Sequence, residues 1–312
     1  MLTSLRTHYR KAVIVFHAIL TICLGTSWSW AGTGLLLIAH GSPNPAWNKP
    51  VLDFGCRAVA TAAETGRYKA VRVCMLEAAQ PDAATAVAEM EAEGCTRIVA
   101  VPLFIAASGH THFDVPAVLG IYSSPRIAAQ FAAEGIKTAR PKVPLVLTGT
   151  MSEGDVLEKY ALSEVRKLSS TPSDEAVLIL AHGDPEHQLI VERMLRRVTT
   201  YCCGEAGISY GDWACIGMGQ DYVTQALPAM ETALKHKKRV LVVGLYLATS
   251  AATLHHRSMK VANPHQRSGP WPEEAVVFSD AAVIDYPELL LDWVFTTART
   301  AADEASEEQR KQ

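Results

Sequence analysis

The stretch Leu37-Ile38-Ala39-His40-Gly41-Ser42-Pro43 returns 142 residues later as Ile179-Leu180-Ala181-His182-Gly183-Asp184-Pro185. The same spacing lays Arg97-Ile98-Val99-Ala100-Val101-Pro102-Leu103-Phe104 on Arg239-Val240-Leu241-Val242-Val243-Gly244-Leu245-Tyr246. One spacing that holds over both segments marks a duplicated unit. Whatever fold the first half builds, the second half must build again.

Each copy alternates strand-like and helix-like runs. In the first, residues 35–39, 70–76, 97–104 and 143–147 are short, apolar and rich in β-branched side chains, which predicts strands. Residues 47–65 and 82–93 have helical apolar spacing, with Pro81-Asp82 as a start signal and Gly94 as a stop. Further helices are expected over about 115–135 and 154–167. The second copy repeats this with strands near 177–181, 213–216, 239–246 and 275–278 and a helix from about 287 to 302. Alternating βα order with near-continuous apolar strands predicts an α/β fold: in each copy, a parallel sheet of about four strands flanked by helices. The expected division is an active-site unit over 32–168, a linker over 169–175, a repeat unit over 176–302 and a frayed charged tail over 303–312.

The first residues stand apart. Arg6, His8, Arg10 and Lys11 form a basic head, residues 12–25 are mostly apolar, and Ser29-Trp30-Ala31 offers small residues at a cleavage position. This predicts a signal peptide over 1–31 and an exported, periplasm-type location without a stable membrane span. An uncleaved anchor is the alternative, although the run is short of the roughly 20 residues a span needs. A formal net charge of −3 gives no basic footprint, so nucleic acid is not an expected partner. The seven cysteines contain no C-x-x-C pair, so neither a thioredoxin-like nor a structural zinc motif is present.

In parallel α/β sheets ligands bind beyond the carboxyl ends of the strands. There the first copy delivers His40, Glu77 and His110, each from a different strand end. Two imidazoles and a carboxylate suit a borderline divalent metal, and they also exchange protons near neutral pH. The 142 spacing puts His182 opposite His40, but Gly219 opposite Glu77 and Ala252 opposite His110. A purely structural trio would be needed in both copies, so the asymmetry points to one working rim and one scaffold rim. His112, His255 and His256 are additional imidazoles near these positions, read as surface groups with auxiliary metal binding as the alternative. Gly41 and Ser42 precede a helix, where backbone N–H groups could bind an anionic group or simply start the helix. H-E-x-x-H, G-x-G-x-x-G and phosphate-loop motifs are all absent, so no nucleotide or organic cofactor is expected.

The order Leu-Leu-Leu-Ile-Ala-His40-Gly41-Ser42, then Met75-Leu76-Glu77, then Val101-Pro102-Leu103-Phe104 leading to Gly109-His110 and Asp114-x-Pro116, resembles the sirohydrochlorin cobaltochelatases of the CbiX/CbiK type, class II tetrapyrrole metal chelatases. The resemblance implies two duplicated flavodoxin-like units with a cleft between them. It implies that His40 and His110 bind the incoming metal, with Glu77 as ligand or proton acceptor. The implied partners are a tetrapyrrole and a divalent metal substrate, Co²⁺ or alternatively Fe²⁺ or Ni²⁺. A periplasmic metal- or tetrapyrrole-delivery protein without turnover is the competing reading, and an exported hydrolase a distant third.

Overall fold

The computed structural model describes residues 32–216, 221–262 and 271–311. The expected signal peptide over 1–31 lies outside the described residues. Among the described residues, no helix is long and apolar enough to cross a membrane.

Strand β1 (Thr33–Ala39) is buried along its whole length. Helix α1 (Pro45–Thr65) follows, its first turn capped by the Asn44 side chain and its end closed by Gly66 in the left-handed region. Next come β2 (Ala70–Met75), α2 (Ala83–Ala92) and β3 (Arg97–Pro102). The Asp82 carboxylate caps α2 by accepting from Thr85 N–H at 2.7 Å. A π-helical turn (His110–Asp114) then leads into the short α3 (Val115–Val118), followed by α4 (Pro125–Glu134), β4 (Leu145–Leu147) and α5 (Val156–Leu168). The single helix expected over 115–135 is thus divided. Gly120, at φ +75°, turns the chain so close to the Ala139 carbonyl that no side chain fits, and Pro125 starts a new helix.

The second copy runs β5 (Glu175–His182), α6 (Gln188–Ala206), β6 (Tyr210–Ile216), a π-helical turn (Tyr222–Ala226) into α7 (Leu227–His236), β7 (Arg239–Leu245), α8 (Ala251–Ala262), β8 (Val276–Phe278) and α9 (Pro287–Lys311). The sheets have the orders β2-β1-β3-β4 and β6-β5-β7-β8. All six pairings are parallel. The expected fold, two four-stranded parallel α/β units, is what the chain forms.

Strand register corrects part of the duplication. Thr33 pairs with Arg97 as Glu175 pairs with Arg239, which keeps the spacing of 142. Ala39, however, pairs with Met75, whereas Ala181 pairs with Cys215, so β6 sits at a spacing of 140. The sequence counterpart of Glu77 at the 142 spacing, Gly219, lies outside the described residues.

The expected division at 168–176 cuts the chain but not the fold. Helix α5 leaves the first sheet and packs on β7 and α6 of the second unit, while α9 packs back on β3, β4 and α1 of the first. The Tyr160 hydroxyl of α5 donates to the carbonyls of Gly244 at 3.2 Å and Ala281 at 2.7 Å. In return, Arg97 donates to the carbonyl of Ala302 and, at 2.8 Å, to Ser306 Oγ of α9. The tail over 303–312, expected to fray, instead continues α9 through Lys311. One apolar core runs through both halves, from Leu35, Leu37 and Val99 to Val177, Leu241, Trp293 and Val294. Alternate strand residues such as Leu36, Ile38, Leu178 and Leu180 face each unit's own outer helices.

The expected linker is equally ordered. Glu175, 1% exposed, accepts from Ser169 Oγ, Ser170 N–H, Thr171 N–H and Arg239 Nη1. Burial alone would raise its pKa, but these donors outweigh it and hold the carboxyl at about 2. All six cysteines among the described residues are free thiols.

Candidate functional site

His40 directly follows β1, and Glu77 lies two residues beyond β2. The two segments touch through Glu77 N–H, which donates to the His40 carbonyl at 3.0 Å. Gly41 makes that approach possible: it sits at φ +87°, and a Cβ there would lie 2.1 Å from the Glu77 carbonyl oxygen. Ala78, at φ 59°, completes the tight bend on the other side of Glu77.

His110 opens the π-helical turn, a geometry that recurs at functional sites. The turn brings the Asp114 carboxylate to 2.8 Å from His110 Nδ1. His40 Nδ1 meets the Gly41 carbonyl, also at 2.8 Å. Both acceptors lack protons to give, so each Nδ1 carries the hydrogen and each Nε2 presents a lone pair. These two Nε2 atoms face each other at 3.2 Å with the rings nearly perpendicular. Glu77 Oε1 lies 3.7 Å from His40 Nε2.

Two lone pairs at this separation repel unless a cation lies between or beside them. Either a proton or a divalent metal satisfies them. Imidazole nitrogens sharing one tetrahedral metal at about 2.0–2.1 Å stand about 3.3 Å apart, close to the observed spacing. The His40, Glu77 and His110 side chains remain 37%, 31% and 42% exposed, so the donors are open to an incoming partner. Among the described residues no group of three or more His, Cys, Asp or Glu side chains forms a ready metal cage. The rim is an imidazole pair with a carboxylate beside it, an arrangement suited to taking up and releasing a cation.

Gly41 and Ser42 lead into α1, the helix-start alternative. Ser42 Oγ accepts from Asn44 N–H at 3.1 Å, and its carbonyl accepts from Asn48 Nδ2 at 2.7 Å. Gly41 is buried against Glu77. The Ser42 side chain and carbonyl build the turn into α1, and Gly41 shapes the rim. In the second copy, His182 repeats the Nδ1 contact to the following carbonyl at 2.7 Å. His255 is held by Tyr222 Oη at 2.7 Å and stacked on Phe278; burial first, and then the nearby His256, lowers its pKa. This is a packed imidazole, and only His256 of that pair is exposed.

Three residues without an assigned role in the sequence reading belong to this region. Asp114 orients His110, and the His-x-x-x-Asp spacing was the available signal. Asp184 and His187 reach the first copy's loop from the second, through Asp184 Oδ2 to Gly109 N–H at 3.0 Å and a His187–His112 ring stack. No motif marks such a long-range contact. A separate cavity of about 500 Å³ is lined by Lys159, Arg166, Lys167 and Tyr201. Its cations are already paired with Asp155, Glu205 and Glu164.

Residues 34–165 match the family model described as CbiX. The chain is 31% identical over 87 residues to a sirohydrochlorin cobaltochelatase of Methanococcus aeolicus, a stretch covering 28% of this chain and 58% of that protein. It is 36% identical over 89 residues to a sirohydrochlorin cobaltochelatase of Saccharolobus islandicus, covering 28% of this chain and 64% of that one. The match thus spans less than two thirds of these relatives. Among solved structures, SirB from Bacillus subtilis with Fe³⁺ superposes with a TM-score of 0.63 at 15% identity, covering 88% of this chain and 97% of that one. At that identity the likeness is one of fold. The resemblance read from the motifs is matched by the family model, over the copy that holds His40, Glu77 and His110.

Proposed function

We propose that the copy carrying the CbiX match is a metal-insertion site, placing a divalent metal into sirohydrochlorin or a closely related tetrapyrrole. The observation that carries this reading is the pair of opposed Nε2 atoms at 3.2 Å, each ring oriented by an acceptor at its own Nδ1. Insertion into a flat macrocycle requires two pyrrole N–H protons to leave and one face to meet the metal. Imidazoles that can hold either a proton or a metal serve both needs at near-neutral pH. The carboxylate of Glu77 offsets positive charge while metal and protons occupy the rim together. Because the rim is open, the metal is held as substrate and released rather than caged.

The proposed metal is Co²⁺, with Fe²⁺ or Ni²⁺ as alternatives: the curated relatives are named cobaltochelatases, and SirB structures are described with Fe³⁺ and with cobalt. Export completes the proposal, supported by the basic head and apolar run over 1–31. The test is absorbance-monitored insertion of Co²⁺ and of Fe²⁺ into sirohydrochlorin by protein starting at Gly32. Insertion well above the enzyme-free rate, lost in His110→Ala, is the expected result. Tight binding of metal or macrocycle with no rate above the control would replace insertion by a delivery role.

A further inference from the structure

The second copy has lost Glu77 and His110, yet it touches the working rim at one built junction. Asp184 occupies the place that Ser42 holds in the first copy. Where Ser42 serves only its own turn, Asp184 serves both units. Its Oδ1 accepts from Glu186 N–H at 2.9 Å and from His187 N–H and Nδ1 at 3.2 Å. Its Oδ2 crosses to the first copy and accepts from Gly109 N–H at 3.0 Å. His187, thus oriented, lies flat on His112, with centroids 4.7 Å apart and planes 8° from parallel. The His112 ring also meets the Ser108 carbonyl at 3.3 Å.

Gly109 and His112 flank His110 on both sides. The loop bearing one of the two opposed imidazoles is therefore gripped before and after that residue by groups of the other copy. Among the described residues, the His110 side chain has Asp114, from its own turn, and His40 as polar partners. A carboxylate–amide bond and a ring stack across the junction set the position of the turn, whereas Asp114 sets only the ring's orientation within it. The junction is well shielded, with Asp184 and His187 side chains 21% and 13% exposed. Productive constellations tolerate displacements of about 0.5 Å, so the anchor of this loop governs the spacing between the Nε2 atoms.

We propose that Asp184, acting with His187, is a positioning residue supplied by the second copy: it fixes Gly109 and His112 so that His110 Nε2 faces His40 Nε2. This rests on the metal-insertion reading for its catalytic consequence, but its structural content is separable. The scaffold copy then completes the geometry of a site whose donors all belong to its twin.

The experiment uses the full chain from Gly32, with Asp184→Ala and Asp184→Asn. Two readouts are taken: Co²⁺ affinity without tetrapyrrole, from the visible spectrum, and kcat and KM for insertion into sirohydrochlorin. Asp184→Ala is expected to weaken Co²⁺ binding and lower kcat by about 10- to 100-fold, the usual range for groups that hold a ligand in place, while KM for the macrocycle stays within about twofold. Asp184→Asn keeps one acceptor oxygen where the carboxylate uses two, so its NH₂ must face either Gly109 N–H or the Glu186 and His187 N–H groups, and it is expected to recover only part of both. Unchanged Co²⁺ affinity and kcat in Asp184→Ala, or a KM for the macrocycle that rises as far as kcat falls, overturns the proposal. If the unaltered protein inserts no metal, the function reading fails alone, and Co²⁺ affinity decides the positioning role by the same comparison. If it binds no Co²⁺ either, both fall. Should Asp184→Ala unfold, Asp184→Ser, the other copy's residue, is read in its place.

Discussion

Replacing Gly41 by alanine tests whether the contact between the first and second strand ends holds the rim together. The new Cβ would sit 2.1 Å from the Glu77 carbonyl oxygen and 3.1 Å from Met75 Cβ. A close carbon–oxygen contact is about 3.3 Å, so the segments must part by about 1 Å. The obstacle is backbone, which cannot swing aside as a side-chain tip would. Alanine at φ +87° adds about 1–2 kcal/mol of conformational cost. Parting the strand ends also stretches the 3.0 Å bond from Glu77 N–H to the His40 carbonyl, worth about 1 kcal/mol. Together these predict a loss of about 2–3 kcal/mol of stability. For function, the 3.7 Å separation of Glu77 Oε1 from His40 Nε2 opens with the backbone. A displacement of about 1 Å at reacting groups costs on the order of 100-fold in rate. Urea unfolding and Co²⁺ insertion kinetics measure the two effects. A Gly41→Ala protein within about 0.5 kcal/mol of the parent and with its full rate would refute the reasoning, because the bend would then relax without cost.

Two further outcomes follow from specific contacts. Asp114→Asn removes the anionic acceptor from His110 Nδ1, so Co²⁺ affinity, read from the visible spectrum, should fall about 10- to 100-fold with little change in Tm. Glu175 has a folded pKa of about 2, below its unfolded value near 4.3, so its contribution is present at neutral pH and lost as pH falls through that window. The urea stability gap between the parent and Glu175→Gln should therefore be about 3 kcal/mol at pH 7 and shrink between about pH 4.5 and pH 2. A gap that does not change with pH would show that the carboxylate's charge is not what the site uses.

Much of this architecture is legible because parallel strands buried on both faces leave an almost continuous apolar trace. Thr33–Ala39 and Arg97–Pro102 have that trace, and their repeats at Glu175–His182 and Arg239–Leu245 double it. The rim residues were legible for the same reason, since the end of an apolar run locates the carboxyl edge. The break after Val118 was harder to see, because it depends on Gly120 packing against Ala139, a contact between loops. The exchange of α5 and α9 was not legible at all. An apolar helix face records that it is buried, not which sheet buries it; the choice rests on long-range partners such as Tyr160 with Gly244 and Ala281.

That exchange explains how a duplicated chain can keep a copy whose rim has lost its donors. With α5 lying on the second sheet and α9 on the first, neither half can bury its inner face alone. The buried Glu164 binds this arrangement further, accepting from Ser279 Oγ at 2.6 Å and from the Tyr286 hydroxyl, both from the far half. Selection on the fold therefore acts on both copies together, while selection on the rim acts on each copy's loops separately. Glu77 and His110 are both half-exposed and stand outside the shared core, so a rim can change chemically while the core is kept. Asp184 shows the consequence. A position that only starts a helix in the first copy has become a carboxylate that reaches across to Gly109. Once the halves share a core, the distance across their junction is fixed, and a side chain of one copy can serve as a reliable support for a donor in the other.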